Sequence, residues 1–387
     1  MRYNFDKVID RSGTSAEKVE GLKHIWGRTD LIPLWVADMD FATAPFVTDA
    51  IRKRCENEVL GYTGKPDSYY NAIINWVKQR YDLVVTKEMI NFVPGIVPGI
   101  GMAMNCFTQK GDKVMIQPPV YHPFAWVTTR NERTLVTNPL KWENGMYRMD
   151  LDTFREQIKG CKLFILCNPH NPGGVVWTEA ELRAIADICY DEKVLVFSDE
   201  IHADLTLPPH THRPFATVSE KARMNSVTFM SPSKAFNMPG LSASHALIFN
   251  EDLRKRFRIY MDAGELDMGH VFAFLSVEAA YSHGTEWLDQ CLAYIQGNID
   301  FVDDFLKNHA PKIKAIRPEA SYLVWLDCRE LKLSQKDLNE FFVDKAHLAL
   351  NDGEMFGKEG IGFMRLNVAS PRCIIEKAMK QLADANS

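Results

Sequence analysis

KLFILCNPHNPGGVVWTEAELRAIADICYDEKVLVFSDEIHAD (162–204) reads as strand, loop, helix and strand. KLFILC (162–167) and VLVFS (194–198) are short apolar runs rich in branched and aromatic residues, the pattern of strands buried on both faces. Between them TEAELRAIADICYDE (178–192) has helical period, and Thr178 with Glu181 fits a capping box. The alternation continues outward through KVMIQ (113–117), SVTFM (226–230) and ASHALIF (243–249). Strand, helix and strand in repetition predict an α/β fold with a mostly parallel sheet and right-handed crossovers.

From about residue 284 the character changes. GTEWLDQCLAYIQGNIDFVDDFLKNH (284–309) is a long helical segment, followed by SYLVWLDC, a helix near 334–343, FMRLNVA and a last helix from about 371. Residues 285–387 therefore read as a smaller α+β unit, and 46–284 as the large one. Residues 1–45 show little helical periodicity before Pro45 and read as an arm that joins the small unit. There is no repeat and no low-complexity linker, so the units are expected to share an interface rather than a tether.

The 387 residues are 46% hydrophobic and 25% charged, which excludes extensive disorder. Forty-five basic against fifty acidic residues give a net charge of −5, and neither sign forms a run suited to nucleic acid or a membrane surface. A small-molecule ligand is favoured. The eight cysteines are scattered without the spacing of a zinc or dithiol motif, and read as reduced thiols. MRYNFDKVIDRSG lacks the pattern of a secretory signal, so a cytoplasmic location is expected. Met89 to Gln109 carries no charge and is long enough to span a bilayer, yet Pro94, Gly95, Pro98, Gly99 and Gly101 make it a strand, a tight turn and a buried helix.

Ligands of open parallel sheets gather beyond the carboxyl ends of the strands, and those positions are polar here. Asp199, Glu200 and His202 follow one run, NPHNPGG (168–174) another, SPSKAFN (231–237) a third, and PGIVPGI follows INFV. Lys234, between small hydroxyl residues and an apolar segment, is costly to bury charged. A Schiff base with an aldehyde cofactor removes that cost. Asp199 stays ionised in a crevice only beside a cation or strong donors, and a protonated pyridine nitrogen is such a cation. The backbone N–H groups of Ile96 and Val97 open a helix and suit a phosphate, with Ser231 and Ser233 as added hydroxyl donors. The converging group is pyridoxal 5′-phosphate.

Over essentially its whole length the chain resembles the fold-type-I pyridoxal-phosphate enzymes, and among them the cystathionine β-lyase or cysteine-S-conjugate β-lyase group of MalY/PatB type. The resemblance rests on WVADMDF (35–41), GYTG (61–64), PPVYHPF (118–124), NPHNPGG, SDEIHAD (198–204), SPSKAFN and RLNVA (365–369). It implies a mostly parallel, seven-stranded-type sheet sandwiched by helices. It further implies Lys234 as the Schiff-base lysine, Asp199 as partner of the pyridine nitrogen, Asn171 as donor to the 3-hydroxyl and Tyr121 as the stacking ring. Arg365 would take the substrate carboxylate beside Ala37. Tyr62 would reach the phosphate of a neighbouring subunit, which implies a homodimer with shared sites. His202 stands where many aminotransferases carry tyrosine, and either approaches the 3-hydroxyl or supports Asp199.

In many aminotransferases an arginine stands eight positions after the lysine, against the phosphate; here that position is Ser242. The implied activity is β-elimination on cystathionine, cysteine or an S-substituted cysteine, giving a thiol, pyruvate and ammonia. The alternatives are a class I/II aminotransferase and a cofactor-binding regulatory protein. His210 and His212, with His202 and Asp204, lie in or near a proline-rich loop without ligand geometry, so no metal is expected. Trp126, Trp142, Tyr147 and Trp177 lack interleaved basic residues and read as packing rather than base stacking.

Overall fold

The apolar runs form one seven-stranded sheet in the computed structural model, which describes residues 2–386. Across the sheet the strands are ordered Ile90–Val93, Ser244–Leu247, Ser226–Met230, Leu195–Asp199, Cys161–Cys167, Lys113–Ile116 and Thr134–Thr137. The last five run parallel to one another. Ser244–Leu247 runs antiparallel to both its neighbours, the one reversal in a sheet expected to be mostly parallel.

Because side chains alternate across a strand, each buried run feeds two cores. Phe164, Leu166 and Val196 pack under the helix Glu179–Asp191. Leu163, Ile165, Phe197 and Phe229 face the other way, against the helix Ile96–Phe107. Glu179–Asp191 starts with the expected capping box: Thr178 Oγ1 accepts the Glu181 N–H at 3.2 Å, and the Thr178 N–H reaches Glu181 Oε2 at 2.9 Å. The uncharged stretch at 89–109 is the strand Ile90–Val93 plus the helix Ile96–Phe107. Gly99 lets that helix approach the sheet, since a Cβ there would meet Val93 Cγ2 at 2.9 Å and Phe229 at 3.2 Å. Among the described residues no helix is long and apolar enough to cross a membrane.

The C-terminal part holds a four-stranded antiparallel sheet, with Leu323–Asp327 and Phe363–Asn367 at its centre and Trp325 opposite Arg365. The 25-residue helix Thr285–His309 and the helix Arg372–Asn386 pack together on it. The arm joins this part through Ile32–Pro33, which pairs with Leu348–Ala349. One expectation for the arm fails: Glu17–Trp26 is a helix, closed by Gly27 at φ 66°. Its buried residues are Lys18, Gly21 and Leu22. A lysine and a glycine on the inner face erase the apolar stripe that would have revealed it.

Candidate active site

Register sets the site. Cys167 lies opposite Asp199, and Asp199 opposite Phe229, so three parallel strands end level and the loops after them meet at one edge. A cavity of about 210 Å³ opens there, lined by Ala37, Ile96, Val97, Tyr121, Asn171, Asp199, His202, Ser233 and Lys234. Nine expected positions from six segments are thus brought together.

Lys234 Nζ donates to the Ala37 carbonyl at 2.5 Å. Burial, then the Arg365 charge, push its amine down to about 8, while Asp38 and Asp199 pull the other way. Burial pushes the Asp199 carboxyl up to about 7, opposed first by the Ile201 N–H, which donates to Oδ1 at 3.1 Å. A cation brought beside this carboxylate would restore its ionised form. Burial, with Lys234 and Arg365, holds His202 down at about 3, so the ring is neutral, and its Nδ1 is buried without a partner. At the other end of the cavity Gly95, at φ 115°, precedes a helix with no side-chain cap whose first backbone bond is Gly99 N–H to the Gly95 carbonyl. The free N–H groups of that first turn and the helix dipole make this the anion end.

Three expected residues lie elsewhere. Ser231 stands behind Ser233, its hydroxyl 2.7 Å from the Ala243 carbonyl and 2.8 Å from the Ser233 hydroxyl. Arg365 is buried beside the cavity wall. It donates to Asn171 Oδ1 at 3.2 Å, to the Trp35 carbonyl at 3.0 Å and to Asn351 Oδ1, and lies over the Phe356 ring. Its Nε is buried with no partner, a donor left for a ligand. Tyr62 is fully exposed on a loop with Leu60 and Lys65, away from this cavity in its own chain.

Sequence reasoning missed Ser244 and Ala243, which line the cavity together with Ser242, the position where many aminotransferases carry the phosphate arginine. It also missed Tyr322, whose hydroxyl shares the Ala37 carbonyl at 2.9 Å, and Asn351. Asn351, the first polar residue after the run LAL (348–350), was the available signal. The histidines set aside as metal ligands have other tasks: His212 pairs with buried Glu200 at 2.8 Å, and His210 lies 3.6 Å from Glu319.

Residues 29–382 match the family described as aminotransferase class I and II. The chain belongs to the class I and II aminotransferase family. Among members of this family it is 38% identical to cystathionine β-lyase PatB of Bacillus subtilis (strain 168), over 99% of this chain and 100% of that one. It is 31% identical to protein MalY of Escherichia coli (strain K12), over 99% and 98%. The crystal structure of cystalysin from Treponema denticola, which contains a pyridoxal 5′-phosphate cofactor, superposes with a TM-score of 0.96 at 34% identity, covering 100% of this chain and 99% of that one.

Proposed function

We propose that this chain is a pyridoxal-phosphate-dependent carbon–sulfur β-lyase, acting on cystathionine, cysteine or S-substituted cysteines. The observation that carries it is the convergence on one cavity of a depressed lysine amine, a buried carboxylate short of donors, an aromatic ring and an uncapped helix start. These fit the cofactor: Lys234 for its aldehyde, Asp199 for its ring nitrogen, Tyr121 for its face, Asn171 for its 3-hydroxyl. Ile96, Val97 and Ser233 serve the phosphate, with Ser231 holding Ser233. When bound, pyridoxal phosphate supplies an electron sink for negative charge at the substrate Cα.

The chain's own residues do the rest. Arg365, with its free Nε and its planar fork, takes the substrate carboxylate beside Ala37. The Lys234 amine, neutral in a useful fraction near pH 8, removes the Cα proton. The Cβ–S bond then breaks with its electron pair going to sulfur, and the thiolate takes up a proton. The remaining enamine hydrolyses to pyruvate and ammonia. Asp199 would pair with the ring nitrogen of the bound cofactor and keep it protonated. Ser242 in the cavity wall, in place of the aminotransferase arginine, and the names of the relatives favour elimination over transamination. Pyruvate should form from cystathionine or an S-alkyl cysteine with no keto acid added; strict need for an acceptor overturns the lyase reading.

The working assembly is a cytoplasmic homodimer in which Tyr62 completes the neighbour's phosphate site. Residues 46–284 act as the cofactor unit, and 285–387 with the arm 1–45 as the substrate-facing unit. An equal mixture of Tyr62→Ala and Lys234→Ala chains, each inactive alone, should recover about a quarter of wild-type activity, because half the dimers then hold one intact site. No recovery after verified subunit exchange refutes the shared site.

A further inference from the structure

The segment Trp35–Phe41 crosses the site as a strap whose carbonyls are taken by side chains from both parts of the molecule. Trp35 O accepts from Arg365, Val36 O and Asp38 O from Asn367, Ala37 O from Lys234 and Tyr322, and Met39 O and Phe41 O from Asn237. The strap also carries two carboxylates, Asp38 and Asp40, on either side of Met39. Both are met by cations of the arm. Arg11 lies 2.6 Å from Asp38 and 3.2 Å from Asp40. Lys18 Nζ lies 2.9 Å from Asp40 Oδ2, 3.3 Å from the Asp38 carbonyl and 3.5 Å from Asp38 Oδ1.

Lys18 is the unusual member: its side chain has no exposure at all. Lysine is almost never fully buried unless paired, and methionine would fill the same space without desolvating a charge. An ammonium at this position has to be explained by what it holds. It holds the backbone that carries the acceptor for the Lys234 amine, and Trp35 Nε1 donates to the Lys18 carbonyl at 3.0 Å, tying the other end of the strap to the same helix.

We propose that Lys18 is a positioning residue for the reaction: through Asp38 and Asp40 it fixes the 35–41 strap, and through the strap it places the Lys234 amine and the Arg365 guanidinium. This rests on Lys234 being the reactive amine. The charged groups facing that amine are Arg365, Asp38, Asp199 and Lys18, with Tyr322 and the neutral His202 ring beside it. Removing Lys18 takes away a positive charge and leaves Asp38 less compensated, so both effects favour a protonated nitrogen at Lys234.

The test is the pH titration of the visible absorbance band of the cofactor-loaded full chain. Lys18→Met should move the midpoint up by about half a unit or more and lower kcat about tenfold, and Lys18→Arg should restore both. Asp38→Asn, which removes the opposing charge, should move the midpoint down. Simple loosening of the site would admit water and move both variants upward, so an upward shift in Asp38→Asn, or no shift in either, overturns the proposal. If Lys18→Met fails to fold, the direction in Asp38→Asn alone decides. Absence of any visible band in the wild-type chain would instead refute the cofactor reading, a separate outcome.

Discussion

Replacing Arg365 by lysine keeps the charge and removes the fork. In the structure the guanidinium serves Asn171 Oδ1, Asn351 Oδ1 and the Trp35 carbonyl while Nε stays free. One ammonium cannot reach those three oxygens and also grip a carboxylate with two parallel bonds. Losing one charge-assisted bond to the substrate costs about 1.5–3 kcal/mol, which is about 10- to 150-fold in KM. On the proposed mechanism Lys234, not Arg365, takes the Cα proton, so kcat should fall by less than about tenfold. Oxygens left unpaired on Asn171 and Asn351 should cost a further 1–3 kcal/mol or so of stability, visible in a denaturant titration. The assay is steady-state pyruvate release from an S-alkyl cysteine, with the visible band as the check that cofactor is retained. A KM within twofold of wild type, on a variant that keeps the band, removes Arg365 from carboxylate binding.

Lys234→Ala should abolish the visible band and lower turnover by about a thousandfold or more, with no loss of thermal stability, since a poorly solvated amine is removed; a variant that keeps the band places the cofactor elsewhere. In the cofactor-free chain, acylation at Lys234 followed by mass spectrometry should rise about tenfold per pH unit and level off near pH 8; levelling only above pH 10 would show that burial does not govern the amine. The sign for stability follows. Unfolded chains hold that proton up to 10.5, so the penalty from Lys234 is fully present below about pH 8 and is relieved as pH rises from 8 toward 10.5. Gly174→Ala should destabilise by about 2–4 kcal/mol: at φ 67° its Cβ would meet Pro318 Cβ at 2.4 Å. The Gly174 carbonyl accepts the N–H groups of Glu319 and Ala320, so part of the junction with the C-terminal sheet loosens. An unchanged unfolding midpoint would show that Pro318 can give way.

The central strands were legible because burial on both faces writes an unbroken apolar run, and the strand ends because polar residues there interrupt such runs. Direction was not: ASHALIF is as apolar as its parallel neighbours, yet Ser244–Leu247 runs against them, and an apolar run carries no sign of its orientation. The edge strand Thr134–Thr137 escaped because its residues are only partly covered. Within the site, Lys234 and Asp199 announced themselves through the cost of burying a charge. Arg365 could be assigned only by resemblance, since its partners Asn171 and Asn351 lie 194 and 14 residues away. Ser231 and Ser233 read alike in sequence as hydroxyl donors to a phosphate; two positions along the chain decide which hydroxyl meets the cavity, and it is Ser233.

The strap has an implication for how such a chain can change over time. From Trp35 to Phe41 it is gripped by its carbonyls, by the two aspartates, by the Trp35 ring nitrogen and by the buried Met39 and Phe41 side chains. Replacing the partly buried Val36 leaves every one of those backbone hydrogen bonds available, because each uses a carbonyl that all amino acids share. Inserting or deleting one residue would instead shift the acceptors against Arg365, Asn367, Lys234, Tyr322 and Asn237 at once. The segment should therefore tolerate a change of residue at Val36 and no change in length, the reverse of what an exposed loop allows.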